Sequence, residues 1–187
     1  VTDPQFVGVL GRIGEDELAL TGADAVRSHL IYAMSTKVPV LVITATGREA
    51  EDLTAEVKSM IGDRVAMFPS WETLPHEKLS PAVDTVAQRR KALYDVRRGK
   101  VDVLIAAVRS LVQPIVDDLE AEASAPIHVQ LDRDCENLVE RLVHHGYSHV
   151  DMVGRRGQFA VRGGIVDVFP ATEELPVRIE LWGDEVT

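Results

Sequence analysis

An ATP-binding loop is the first chemistry to test for, because a short apolar run and Thr21-Gly22 precede helical spacing from residue 25 to residue 34. Such a loop needs glycines that let the backbone approach the phosphates, a lysine that reaches the terminal phosphates, and a serine or threonine that holds magnesium. The pattern G-x-x-x-x-G-K-[ST] can be laid over residues 19–26. Its defining positions then fall on Ala19, Asp24, Ala25 and Val26, with Gly22 at a position that the pattern leaves free.

Every group that a nucleotide site requires is therefore missing from this segment. Asp24 also opposes a phosphate, because a carboxylate at a helix N-terminus occupies the place that an anion would take, and we expect it to cap the helix instead. The acidic pair that holds magnesium in such sites is missing too, since the apolar run from Val101 to Ile105 continues into two alanines. We predict a degenerate nucleotide site and no cofactor in this chain.

Metal binding is the second chemistry to consider, because His144, His145 and His149 lie close together in the sequence. Gly146 breaks the helix between them, so two imidazoles do not share one helix face at i,i+4 spacing. Spacing also identifies no serine–histidine–aspartate arrangement. We predict neither a metal site nor a catalytic residue.

Positive charge is concentrated in one stretch of the chain. It could contact a nucleic-acid backbone or the acidic surface of a protein partner. The same residues fit a solvated helix face whose last arginines complement the helix dipole, and we favour that interpretation. The stretch comprises Arg89, Arg90, Lys91, Arg97, Arg98, Lys100 and Arg109.

The segment from residue 177 to residue 182 alternates apolar and polar residues with the period of a β-strand. Arg178 and Trp182 point outward in this pattern with Glu180, and an exposed tryptophan beside an arginine is enriched at the energetic centre of interfaces. Arg162 on the preceding strand could join them, with Gly163-Gly164 marking a bulge that re-aims it. The alternative that Trp182 packs on a C-terminal continuation fits the pattern equally well. The aliphatic face, expected in the core, consists of Val177, Ile179 and Leu181.

Strands and helices alternate through the first part of the chain, which predicts a parallel sheet. The β-branched run from Pro39 to Thr44 is typical of a parallel strand that is buried on both faces. Gly99 should end the helix predicted at residues 82–98 by adopting the left-handed conformation. The predicted elements are strands at 17–20, 39–44, 64–68 and 101–107 and helices at 25–34, 50–61 and 82–98.

An acidic, alanine-rich stretch at residues 117–125 ends this alternation, and we place a domain boundary near Pro126. The sequence predicts an α/β domain at residues 1–125 and a smaller α+β domain at residues 126–187. The elements expected in the smaller domain are a helix at 135–145 and strands at 158–169 and 177–182.

Composition narrows the class of protein further. The 187 residues are 45% hydrophobic, with a formal net charge of -10 and one cysteine, which excludes a disordered chain and a disulfide framework. The acidic total argues against a surface devoted mainly to nucleic acid. No apolar run approaches membrane-spanning length, so we expect a cytoplasmic protein without membrane contact. Because the sequence opens at Val1 without a methionine, we expect a fragment of a longer chain.

Two blocks of residues carry a resemblance to a known family. The first runs from Phe68 to Pro75 and continues through Ser80-Pro81 to Asp84 and Arg89, and the second runs from Arg156 to Pro170. Together they resemble the N-terminal UvrB-homology module of Mfd, the bacterial transcription-repair coupling factor. The second block is also close to UvrB itself, whereas the first is more particular to Mfd.

The resemblance implies that residues up to about 125 are a helicase-like domain that has lost its ATPase and that the remainder binds UvrA. The positions that contact UvrA in the family fall on Arg162, Arg178 and Trp182. The short loop from Ser70 to Asp84 stands where UvrB has a long tyrosine-rich hairpin, so we do not expect this module to verify DNA damage.

These implications lead to the expectation of a non-catalytic recruitment module that brings nucleotide excision repair to stalled RNA polymerase. In the parent, a downstream motor would use ATP and magnesium and would contact RNA polymerase and DNA, while the remainder of the chain could mask the UvrA-binding face. Two rival interpretations stay open. The chain could be one half of an ATP-dependent helicase that binds nucleotide, or it could bind DNA directly through residues 89–100.

Overall fold

The computed structural model describes residues 4–15, 17–72, 81–115, 127–133, 135–173 and 175–187. The chain divides into two units, one made of residues 1–70 and 95–114 and the other of residues 71–94 and 115–187. The predicted boundary near Pro126 lies outside the described residues, and the division into residues 1–125 and 126–187 stays a prediction.

The first unit contains a parallel sheet of three strands in the order β1-β3-β2, as expected from the alternation of strands and helices. The central strand β3 pairs with both neighbours, so that Val103 lies opposite Val40 and Val65. The elements are α1 (Pro4–Leu10), α2 (Asp24–Ser35), β1 (Val40–Thr44), α3 (Gly47–Ile61), a 3-10 turn (Gly62–Arg64), β2 (Val65–Phe68), β3 (Val103–Ala107) and α5 (Val108–Leu111). Helix α4 spans Val83–Arg97, and only its last residues belong to this unit.

Helix α3 covers one face of this sheet because its apolar residues recur at helical spacing. Leu53 and Val57 are buried in the same cluster as Val103 and Ile105 of β3. The helix begins at a Thr-x-x-Glu pattern, in which the Thr46 side chain accepts a hydrogen bond from the Glu49 amide at 3.2 Å. The N-terminal cap and the burial of the apolar side chains therefore both stabilise helix α3.

Two expectations for the first unit are wrong. Residues 17–20 form no strand, since leucine and alanine prefer helices and the run contains no β-branched residue. Strand β1 is not buried on both faces, because it lies at the sheet edge and its Leu41 and Ile43 are exposed on the face that α3 does not cover. The expected left-handed Gly99 is confirmed by its φ of +65°.

The second unit contains a five-stranded sheet in the order β4-β5-β6-β7-β8, parallel between β4 and β5 and antiparallel elsewhere. It also contains most of α4, from residue 83 to residue 94. The other elements are α6 (Leu138–His144), β4 (Ser148–His149), β5 (Gln158–Arg162), β6 (Ile165–Phe169), β7 (Val177–Trp182) and β8 (Glu185–Val186).

The core of the second unit lies between α6 and one face of this sheet. Phe159, Val166 and Ile179 are buried on neighbouring strands, and Leu138 and Leu142 of α6 belong to the same cluster. Burial of such side chains stabilises the fold by roughly 1.5–3 kcal/mol each. None of the helices that the structure describes is long and apolar enough to cross a membrane.

Two hairpin turns of two residues each join β5 to β6 and β7 to β8. Arg162 pairs directly with Ile165, so Gly163-Gly164 is a hairpin turn and not the bulge expected from the sequence. Trp182 pairs with Glu185 in the same way across Gly183-Asp184. Gly163 and Gly183 adopt φ angles of +61° and +66°, which suit glycine at the first position of such turns.

We predict that Gly164→Ala lowers the free energy of unfolding by about 1–3 kcal/mol, because a Cβ atom there would lie 2.5 Å from the Leu181 carbonyl oxygen. Urea denaturation followed by circular dichroism measures the change. Gly163→Asn is the matched control, since nothing lies within 4 Å of a Cβ at that position and asparagine tolerates positive φ. Equal stability of the two variants would contradict the close approach.

Candidate functional site

The strand register places a group of charged and aromatic side chains on the sheet face opposite the core of the second unit. Directly paired residues point to the same side, so the pairs Arg162–Ile165, Ile165–Glu180 and Asp167–Arg178 align along that side. Trp182 follows Glu180 by two residues and shares its side. We name this surface the outer face, and its members include Arg162, Ile165, Asp167, Arg178, Glu180, Trp182 and Glu185, the last of which pairs with Trp182.

Trp182 is the most exposed large side chain of the outer face, with 82% of its surface accessible. It stands at the end of β7, immediately before the turn at Gly183. The prediction that it points outward is confirmed. An aromatic ring this exposed leaves its apolar surface in water, which favours burial against another molecule.

The aliphatic side of β7 meets the expectation only in part. Ile179 is buried and Leu181 packs against the core, but Val177 is half-exposed. Val177 lines a cleft of about 590 Å³ whose walls include Leu142 and Tyr147. It therefore lies at the border of the core and not inside it.

Arg178 is oriented by Asp167 on the neighbouring strand. Its Nε donates to Asp167 Oδ1 at 2.7 Å and its Nη2 donates to Asp167 Oδ2 at 2.9 Å, which is a bidentate ion pair. This hydrogen bonding lowers the pKa of Asp167 below its ordinary value, and the charge of Arg162 acts in the same direction. It also raises the pKa of Arg178. Both groups are thus charged at neutral pH.

Arg162 is fixed differently, since its Nη2 donates to the backbone oxygen of Asp151 at 2.7 Å. The structure thus brings Arg162, Arg178 and Trp182 to one face, as the alternation suggested. Sequence reasoning missed Asp167, although the alternation of Ile165 and Asp167 with two valines on β6 would have placed this carboxylate on the same side.

The basic stretch does not form one exposed patch. Arg89 is only 3% exposed, and its guanidinium lies 4.3 Å from the centre of the Trp71 ring. Burial lowers the pKa of Arg89. Its inclusion among surface residues that meet DNA or a partner is wrong, because Trp71 comes from a distant part of the sequence and covers it. Arg90 is half-buried, whereas Lys91, Arg97 and Arg98 are exposed.

The residues of the degenerate nucleotide site lie in and around the start of α2. Ala19 and Gly22 belong to an irregular segment, and Asp24, Ala25 and Val26 form the first turn of the helix. The expectation that Asp24 caps this helix is wrong, since Ala23 occupies the cap position without a side-chain hydrogen bond. Asp24 instead complements the helix dipole from the first turn.

His145 and His149 lie against other groups of the protein. His145 Nδ1 lies 2.8 Å from the Arg141 carbonyl oxygen, and the His149 ring lies 5.1 Å from that of Phe159. Within the described ranges, no group of three or more His, Cys, Asp or Glu residues could hold a metal ion.

The outer face lies within a segment that matches a known domain family. The UvrB interaction domain family matches residues 126–187. The chain is 47% identical to the transcription-repair-coupling factor of Mycobacterium tuberculosis over 98% of its own length. The chain is homologous to part of the transcription-repair-coupling factors. The resemblance proposed from the two sequence blocks is confirmed.

More distant relatives agree with this assignment. The chain is 32% identical to the Escherichia coli transcription-repair-coupling factor over 94% of its length. It is also 29% identical to UvrABC system protein B of Streptomyces coelicolor, over 92% of this chain and 27% of that protein. The chain spans only 16% of the length of the Mycobacterium tuberculosis and Escherichia coli coupling factors.

We predict that Arg178→Ala raises the pKa of Asp167 toward its ordinary value, because the largest cause of its lowering is the hydrogen bond from Arg178. In the unchanged protein the pair persists as pH falls and breaks only when pH passes through the lowered pKa of Asp167. Carbon-13 NMR of the Asp167 carboxyl group measures its titration midpoint in the unchanged protein and in Arg178→Ala. A midpoint that does not move in the variant would contradict the bidentate pair.

Proposed function

We propose that this chain is a non-catalytic docking module that binds the repair protein UvrA through its outer face. The observation that supports this most directly is that Trp182, 82% exposed, lies on the same side of β7 as Arg178, which a bidentate ion pair with Asp167 keeps in place. Exposed tryptophan and arginine are the side chains most enriched among interface hot spots. The face lies in the UvrB interaction domain, whose family name supports a role shared with UvrB.

The rigidity of the outer face supports this proposal. Its residues lie on four hydrogen-bonded strands whose other side is the hydrophobic core, so little order remains to be gained on binding. Binding sites on regular strands lose less conformational entropy than sites on loops. A pre-organised face of this kind suits recruitment of a folded partner.

The longer protein would supply the activities that this chain lacks. Because the chain spans 16% of the coupling factors it matches, the proposal assigns to the remaining parts an ATP- and magnesium-dependent motor that acts on DNA and stalled RNA polymerase in the cytoplasm. The name of those relatives, transcription-repair-coupling factor, supports this division of roles. The remainder of the chain could also cover the outer face until the motor engages.

We predict that Trp182→Ala, Arg178→Ala and Arg162→Ala each weaken the binding of UvrA, with the largest loss, about 30-fold, for Trp182→Ala. Titration calorimetry of each purified variant against UvrA measures the dissociation constant. Val112→Ala and Arg12→Ala are matched controls, because Val112 is 79% exposed, Arg12 makes a bidentate ion pair with Glu15, and both residues lie in the first unit. Unchanged affinity in Trp182→Ala and Arg178→Ala would overturn the site.

We also predict that the chain alone shows no saturable binding of ATP with magnesium at millimolar concentration. The residues at positions 19–26 lack the lysine and hydroxyl groups, and Asp24 carries a negative charge where a phosphate would lie. Equilibrium dialysis with an active ATPase as positive control measures this. Saturable binding that disappears when residues 24–26 are changed would instead favour the helicase-half interpretation.

A further inference from the structure

Asp167 is a carboxylate of the outer face that lies against Arg178. Asp167 sits opposite Arg178 in the register of β6 and β7, and both of its oxygens accept hydrogen bonds from that arginine. The Asp167 side chain is 25% exposed, whereas the Arg178 side chain is 61% exposed. The arginine is therefore the more solvent-exposed member of the ion pair.

We propose that Asp167 is a positioning residue for partner binding, which holds one edge of the Arg178 guanidinium so that the opposite edge faces the partner beside Trp182. This inference rests on the proposed docking function. The Nε and Nη2 atoms donate to Asp167, and the Nη1 donors make no hydrogen bond to the residues that the structure describes. An arginine with a fixed edge loses less side-chain freedom when a partner binds.

The same arrangement indicates the chemistry of the partner surface. Asp167 neutralises much of the charge of Arg178, so a broad acidic surface would gain little from this face. The Nη1 donors instead fit a carboxylate or carbonyl oxygen placed at hydrogen-bond distance, next to an apolar pocket that receives the indole of Trp182. Recognition would depend on direction and shape more than on net charge.

A purely structural role for this ion pair is disfavoured by its location. Exposed ion pairs contribute little to stability because water and salt screen them. The strands that carry the pair are already fixed by their backbone hydrogen bonds and by the core on the other face. Loss of the Asp167 charge should therefore leave the fold intact and disturb the orientation of Arg178.

The test is a double-mutant cycle of Asp167→Asn and Arg178→Ala, with UvrA affinity measured by calorimetry. We expect Asp167→Asn to weaken binding about tenfold in the unchanged chain and to have no effect in the Arg178→Ala background. Simple attraction to an acidic partner predicts the opposite sign, because Asp167→Asn makes the face more positive. Glu15→Gln is the matched control, since it removes one carboxylate from another bidentate arginine pair, with Arg12, that lies in the first unit and is not part of the outer face.

The outcomes separate the two proposals. If Arg178→Ala leaves UvrA binding unchanged, the docking site and this inference both fail. Two results would contradict the positioning role alone, provided that Arg178→Ala weakens binding. In the first, Asp167→Asn has no effect on affinity; in the second, Asp167→Asn weakens binding equally in the unchanged chain and in the Arg178→Ala background. Nitrogen-15 relaxation of Arg178 Nε provides a second measurement. It should show greater mobility in Asp167→Asn and restoration in Asp167→Glu, and unchanged mobility in Asp167→Asn would overturn the positioning role.

Discussion

The antiparallel register of β5, β6 and β7 is the constraint on which the rest of the binding face depends. Side chains alternate across a strand with a period of two, so a slip of one residue would exchange Asp167 for a valine and direct Arg178 toward the core. The two-residue turn at Gly163-Gly164 sets the register of β5 against β6. The Gly163-Gly164 turn also lies against β7, where the Leu181 amide donates to the Gly164 carbonyl oxygen at 2.7 Å.

The same register separates stability from recognition. Phe159, Val166 and Ile179 on the inner side supply the apolar burial that stabilises the second unit. Because that burial does not involve the outer side, Trp182 can remain in water without weakening the fold. Large apolar surfaces in water usually mark a contact, which for Trp182 is either a partner or another part of a longer chain.

Local pattern predicted the features that depend on neighbouring residues, and it failed where distant parts of the chain decide. The alternation along β7 was enough to turn Trp182 outward, and the left-handed glycine at position 99 followed from helix-ending chemistry. The burial of Arg89 could not be predicted from its neighbours in the sequence, because its guanidinium packs on the ring of Trp71, which is 18 positions earlier in the chain. Pairing of Asp167 with Arg178 likewise requires the register of two strands, which neither strand contains alone.

The charge of the outer face also changes how the acidic total should be interpreted. The whole chain carries a formal net charge of -10, and the two arginines of the outer face lie among three carboxylates, because Glu185 pairs with Trp182 on the same side as Asp167 and Glu180. A face without net positive charge on an acidic chain exerts no long-range attraction on nucleic acid, which is strongly negative. It also does not steer acidic partners from a distance. Its selectivity must therefore arise at contact, where the indole of Trp182 is desolvated and the fixed edge of Arg178 finds an acceptor. A face of this kind distinguishes one folded partner from another by shape.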